Sequence, residues 1–271
     1  MPKVKVNGIN VFYESTGNGY PLVFTHGFSA SHLMWKAQEP LTKEFRLITY
    51  DARGHGETDS PPSADRYSAD IAVEDLYGLT QALGIKKAVF GGLSMGGYIS
   101  LRFYLKHPDM ASALIIMDTG PGYHNPARMA EWNRSREEMA QRLEKEGISV
   151  LVAQAASEGR REISLKQNPV GLAHMSRKVV GQHDSWVIEN LAKIKVPALV
   201  LVGEKDTAFL QAADYMAKTI PGAQKFVVPG AGHAANIDNP AFFNNAIQNF
   251  LRKLDLTQKS PLANIPTTQD S

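Results

Sequence analysis

The chain has 271 residues, and its 29 basic and 27 acidic side chains leave a formal charge of only +2, too small and too scattered for a surface built to bind nucleic acid. It contains no cysteine, which excludes disulfides, thiol catalysis and thiolate metal sites. The first residues (Met1-Pro2-Lys3-Val4-Lys5) hold no signal-peptide-like apolar stretch and no run of about 18 apolar residues occurs, so a cytoplasmic protein with no membrane span is expected.

This length suits one α/β domain with an insertion. Residues 4–6 and 11–13 flank Asn7-Gly8 and read as a hairpin, because Asn-Gly supplies the positive φ angles of a tight turn. Strands are then expected near residues 22–25, 45–49, 87–92, 113–117, 197–202 and 224–228. Ile71, Ala72, Leu76, Leu79, Ala82 and Leu83 recur at helical spacing, and Gly84 follows as a stop. Tyr98, Leu101 and Leu105 give the next helix its buried stripe, ended by His107-Pro108. The last helix starts at Asn239-Pro240 and carries Phe243, Ile247, Phe250 and Leu254 on one face. Alternating apolar strands and helices predict a mostly parallel sheet covered on both faces. Residues 121–185 break the alternation and read as helices, with Met129, Trp132, Arg136, Met139 and Leu143 at intervals of three or four. Residues 255–271 lack an apolar pattern and read as a disordered tail.

The chemistry is concentrated at Gly92-Leu93-Ser94-Met95-Gly96. A Gly-x-Ser-x-Gly pentapeptide between a strand and a helix puts the serine hydroxyl on a strained, exposed turn, the nucleophile elbow of serine hydrolases. A serine hydroxyl needs a neighbouring base, and the base an orienting acid. The strand run ending at Val202 leads into Gly203-Glu204-Lys205-Asp206, and the run ending at Val228 leads into Gly230-Ala231-Gly232-His233. Ser94, Asp206 and His233 thus each follow a strand, in the order Ser, Asp, His. Glu204 is a nearby alternative acid and Asp118, after the preceding strand, a competing one. The remaining histidines lack metal-ligand spacing, and Gly91-Gly92 with Gly96-Gly97 lacks the pattern of a phosphate cradle. No metal and no cofactor are expected. Met117, Met129, Trp132 and Met139 fit either an acyl pocket or simple core.

The triad order, the elbow, Leu22-Val23-Phe24-Thr25 leading into His26-Gly27-Phe28, and the turn Tyr50-Asp51-Ala52-Arg53-Gly54-His55-Gly56 together resemble the α/β-hydrolase superfamily over residues 3–254. The resemblance implies an α/β-hydrolase fold, a mostly parallel doubly wound sheet with a helical cap inserted after the sixth strand. Residues 1–120 and 186–254 would form the core and 121–185 the cap. It implies catalytic Ser94, Asp206 and His233, with an oxyanion hole from the backbone N–H groups of Phe28 and Met95. Phe28, Trp132 and Met139 are the candidate pocket residues. A serine at the elbow speaks against haloalkane dehalogenases and epoxide hydrolases, which carry aspartate there. The resemblance extends to esterases, enol-lactonases and perhydrolases, and the expected substrate is a small-molecule ester or lactone. Carbon–carbon hydrolysis or a lyase reaction with the same triad, or a non-turnover small-molecule receptor on the same fold, remain open alternatives.

Overall fold

The computed structural model describes residues 2–152 and 167–256. Most of the expected tail, and part of the insertion, lie outside the described residues. Eight strands form one sheet: β1 (Lys3–Val6), β2 (Ile9–Thr16), β3 (Tyr20–Thr25), β4 (Phe45–Tyr50), β5 (Ala88–Leu93), β6 (Ala111–Met117), β7 (Ala198–Gly203) and β8 (Gln224–Val228). Their spatial order is β1-β2-β4-β3-β5-β6-β7-β8. The β1–β2 and β2–β4 pairs are antiparallel and all others parallel. Asn7 at φ 47° and Gly8 at φ 76° make the expected hairpin turn.

Every residue of β3, β5 and β7 is buried. Because strand side chains alternate between faces, each such run feeds two cores. Phe90, Leu114, Ile116, Val200 and Val202 join one cluster with Leu76, Leu79, Ile99 and Phe103. Those residues come from α1 (Ala69–Ala82) and α2 (Met95–Lys106); α6 (Leu210–Thr219) adds Ala213 and Met216 to the same face. Val89, Ile115, Met117, Leu199 and Leu201 face the other way. There they meet the 3-10 helix His32–Lys43 and α8 (Pro240–Lys253), through Trp35, Phe243, Ile247 and Phe250. The 3-10 helix has no counterpart among the sequence expectations, because Pro40 and the absence of an apolar stripe hide it.

After β6 the chain leaves the sheet and enters α3 (Pro126–Glu146), capped by Asn125 and ended by Gly147 at φ 68°. It returns through α4 (Pro169–Met175), a π-turn at Ser176–Val180 and α5 (Trp186–Asn190). Ala140 and Leu143 of α3 pack with Leu151, Leu172 and Ala173 in a small core of their own. The short helix α7 (Ala235–Asp238) precedes α8.

Candidate active site

Since β3, β5, β6, β7 and β8 run parallel, their C-terminal ends share one edge of the sheet. Phe28, Ser94, Asp118, Asp206 and His233 follow these five strands one by one. The chain order reverses beside β3, the topological switch point where open α/β sheets bind ligands.

Ser94 links β5 to α2 at φ 55° and ψ −116°, a backbone state that costs a non-glycine residue about 1–3 kcal/mol. Glycine neighbours make the turn possible. A Cβ on Gly96 would fall 2.0 Å from the Thr25 carbonyl oxygen, and one on Gly92 2.4 Å from the backbone of Gly96. The Ser94 N–H donates to the Met117 carbonyl at 2.9 Å, and Thr119 Oγ1 donates to the Ser94 carbonyl at 2.7 Å. Met95 opens α2, so its N–H points out of the helix. Among the described residues, neither that N–H nor the N–H of Phe28 has a hydrogen-bond partner.

The loop carrying Phe28 is held by buried polar groups. Ser29, at φ 61°, donates its N–H to His55 Nε2 at 3.2 Å. Gln167 donates to the carbonyls of Ser29 (3.2 Å) and Ala30 (3.0 Å) and accepts from the Gly56 N–H (3.1 Å). His26 accepts from the Ala52 N–H at 2.9 Å and pairs with the Gly27 carbonyl at 2.7 Å. Both imidazoles are fully buried, and burial pushes His55 down to about 3 and lowers His26, so both stay neutral.

His233 Nδ1 lies 2.8 Å from Asp206 Oδ2. The Asp206 side chain is 6% exposed and that of His233 44%. Phe209 stacks on His233 with ring centres 5.1 Å apart. Asp118, the competing acid, is occupied elsewhere: its Oδ1 accepts from the Gly203 N–H at 2.7 Å and its Oδ2 from the Ala235 N–H at 3.4 Å. It therefore ties the strand before Asp206 to the helix after His233. Burial pushes its carboxyl up to about 7, opposed by the Gly203 hydrogen bond and the charge of His233.

A cavity of about 400 Å³ opens over Ser94. Met95, Tyr98, Thr119, Tyr123, Trp132 and Phe209 form part of its wall, so Ser94 and the ring stacked on His233 share one space. Of the expected pocket residues, Trp132 lines it. Phe28 and Met139 do not: both pack against the α3–α4 core, and Phe28 also meets His55 edge-on at 5.8 Å. Helical spacing marks Met139 as inward-facing, and the inward side there is protein. Sequence reasoning missed Gln167, whose partners lie 111–138 residues away, and Tyr98 and Phe209, which look like ordinary core residues.

The chain is similar along almost its whole length to solved and characterised proteins. A thermophilic esterase from Thermogutta terrifontis superposes with a TM-score of 0.84 at 33% identity, over 94% of this chain and 99% of that one. The enol-lactonase of Burkholderia xenovorans LB400 gives 0.75 at 26% identity, over 93% and 100%. The 3-oxoadipate enol-lactonase 1 of Acinetobacter baylyi is 28% identical, over 91% of this chain and 94% of its own. Residues 20–174 match the family described as alpha/beta hydrolase fold. Together with the sheet order and the strand–serine–helix junction, this match places the chain in the α/β-hydrolase superfamily.

Proposed function

We propose that the protein is a serine hydrolase of small to medium carboxylic esters. The observation that carries this reading is Ser94, held at positive φ between β5 and α2 beneath a cavity, with two backbone N–H groups, Phe28 on the loop after β3 and Met95 at the start of α2, that have no hydrogen-bond partner among the described residues. The Asp206–His233 pair lies behind Phe209, which lines the same cavity.

In this reading Ser94 Oγ attacks the ester carbonyl carbon while its proton passes to His233. Asp206 keeps His233 in the tautomer that carries hydrogen on Nδ1 and stabilises the imidazolium. The carbonyl oxygen becomes an oxyanion that accepts from the Phe28 and Met95 N–H groups. Collapse breaks the ester C–O bond, and His233 returns the proton to the departing alkoxide, leaving acyl-Ser94 and an alcohol. His233 then takes a proton from water, the hydroxide attacks the acyl carbon, and the acid leaves as Ser94 recovers its proton. Residues 121–185 would act as the cap, with Trp132 contributing to substrate fit.

The similarity to enol-lactonases supports a cyclic ester as the second reading, since the same steps open a lactone and keep both products in one molecule. The test is a panel of p-nitrophenyl esters and small lactones assayed with the wild type and Ser94→Ala. Turnover that falls by about 10⁴ or more in the variant is expected, as for other triad serines. Near-normal turnover by Ser94→Ala would end the proposal.

A further inference from the structure

The loop that carries the Phe28 N–H is fastened at its start by His26, in its middle by Ser29 and Ala30, and at its end by His32. The first two fastenings are electrically neutral, since burial keeps His26 and His55 uncharged and Gln167 has no charge to lose. The last is an ion pair. His32 directs its backbone N–H (2.7 Å) and its Nδ1 (2.8 Å) at Asp51 Oδ1, while Asp51 Oδ2 accepts from the Glu57 N–H at 2.8 Å. One carboxylate thus joins the end of the Phe28 loop to the turn after β4.

The Asp51 side chain is fully buried. A Cβ on Gly56 would fall 2.1 Å from its Oδ2, so the turn closes directly on the carboxylate. A carboxylate taken from water needs hydrogen bonds and a counter-charge. Asp75, also buried, has Arg53, a cation at every pH a folded protein meets. Asp51 has no lysine or arginine partner among the described residues; its ion-pair partner is His32, a cation that can be discharged. The His32 ring is 9% exposed and packs on Phe12 with centres 4.5 Å apart. Its Nε2 faces Glu14 Oε1 of β2, an exposed carboxylate, at 3.8 Å. Glu57 adds a third negative charge to its surroundings, and the neutral imidazole of His26 also lies in its field. Burial opposes a charge on His32, but the Asp51 hydrogen bond and the charges of Asp51, Glu14 and Glu57 outweigh it and raise its pKa. Burial likewise opposes the charge on Asp51, and the His32 hydrogen bond with the Glu57 and His32 N–H groups outweighs it there.

We infer that His32 is a positioning residue for the oxyanion donor: its imidazolium, held between Asp51 and Glu14, fixes the end of the Phe28 loop, and loss of its proton loosens that loop and slows acyl transfer. This rests on the reading of Phe28 as an oxyanion donor beside Ser94. Deprotonation leaves Asp51 buried without a counter-charge, the arrangement that low dielectric penalises most. The contribution of the pair is complete below the ordinary histidine range and is lost as pH rises through the raised midpoint of His32. His233 works in the opposite sense, because it must be neutral to accept the serine proton. The rate should therefore rise and then fall with pH, His233 setting the acid limb and His32 the alkaline one.

Initial rates on p-nitrophenyl butanoate from pH 5 to 9, set beside NMR titration of the histidine rings and backbone amides, test it. Removing one oxyanion donor costs about 10²–10³ in kcat, so displacing one should cost about tenfold. The alkaline limb should end on a plateau lower by that factor, with KM within about twofold, since the donor acts in the transition state. The His32 ring signal, identified by its loss in His32→Gln, should titrate above the ordinary histidine value, and the Phe28 amide signal should move with the same midpoint. His32→Gln keeps a donor for Asp51 but no charge. It should hold the lower plateau at every pH above the His233 limb, with no alkaline limb of its own. Glu14→Gln, an exposed change that leaves the fold intact even if His32→Gln does not, should move the alkaline limb and the His32 midpoint together to lower pH. An alkaline limb that survives His32→Gln, or a variant that lowers kcat by one factor at every pH, would overturn the proposal and leave His32 a structural residue. So would a limb that stays in place in Glu14→Gln while the His32 midpoint moves, or a Phe28 amide that ignores the His32 titration. If no ester is hydrolysed faster than by Ser94→Ala, the esterase reading falls by itself, and the joint titration of His32 and Phe28 still decides whether the ion pair sets the loop.

Discussion

Asp206 and Asp118 both follow strands, both are buried, and their carboxyls influence one another; exchanging each for asparagine separates their roles. Asp206→Asn replaces the acceptor 2.8 Å from His233 Nδ1. An amide nitrogen in that place favours hydrogen on Nε2, the tautomer that cannot accept the serine proton, and a neutral amide no longer stabilises the imidazolium. The expected loss in kcat is about 10⁴, or roughly 5.5 kcal/mol of barrier. Asp118→Asn disturbs the Gly203 and Ala235 N–H bonds instead. Hydrogen bonds to a charged group contribute about 1.5–3 kcal/mol each, and these hold backbone, so the change should appear mainly in stability, with kcat lowered by about 10–100-fold. Initial rates on a p-nitrophenyl ester, normalised by active-site titration and set beside thermal melts, give both quantities. A loss of about 10³ or more for Asp118→Asn, with Asp206→Asn within tenfold of wild type, would refute the assignment and make Asp118 the partner of the histidine in function.

Ser94→Gly should be as inactive as Ser94→Ala but more stable by about 1 kcal/mol, because only glycine occupies φ 55° without strain; equal melting curves would show that the junction is unstrained. Gly96→Ala should cost upward of about 3 kcal/mol in denaturant titrations, since its Cβ would meet backbone oxygens of Thr25 and His26 at 2.0 and 2.8 Å. Gly222→Ala, at φ 72° with open space around it, should cost only about 1 kcal/mol. Asp118, with its carboxyl raised to about 7 by burial, favours the folded state while protonated. That contribution is complete below the ordinary carboxylate range and is lost as pH rises through about 7. Wild-type stability should therefore fall between pH 5 and 8 more steeply than that of Asp118→Asn, and parallel curves would remove the effect.

The sheet was legible because its chemistry is local. An apolar run such as Ala198–Val202 cannot be satisfied except between two covering layers, and Asn7-Gly8 permits few turns besides a hairpin. The serine junction was legible for the same reason: Gly92 and Gly96 leave room that no other residue would, and that requirement is written within five positions. What could not be read concerns distance. Asp118 and Asp206 each follow a strand, and the sequence could only prefer Asp206 by the strand and turn before it; the 2.8 Å between His233 Nδ1 and Asp206 Oδ2 is a fact of the folded chain. Met139 and Trp132, seven residues apart, share one stripe of α3, and periodicity cannot say that one faces other helices while the other faces a cavity. The fit of Arg136 against Trp132 was hidden in the same way, since the pattern gave Arg136 a place on the stripe but no partner.

Gln167 shows how such distant contacts bear on the proposed chemistry. A donor built from backbone N–H groups has no side chain of its own to aim it, so its precision depends on what fixes the loop. Here Ser29 is kept in a left-handed conformation by the His55 bond on its N–H and the Gln167 bond on its carbonyl. His55 can accept that N–H only while neutral, and its burial ensures this across the pH range of folded proteins. Gln167 in turn belongs to the return of the insertion after α3 and also binds Gly56, two residues from where Gly54 touches Gly171 of α4. The same few residues thus brace the Phe28 loop and fasten the insertion to the sheet. Any displacement of this end of the insertion must break bonds that hold the Phe28 N–H in place. In the proposed mechanism, this joins the part of the protein that shapes the substrate cavity to the part that would stabilise the oxyanion.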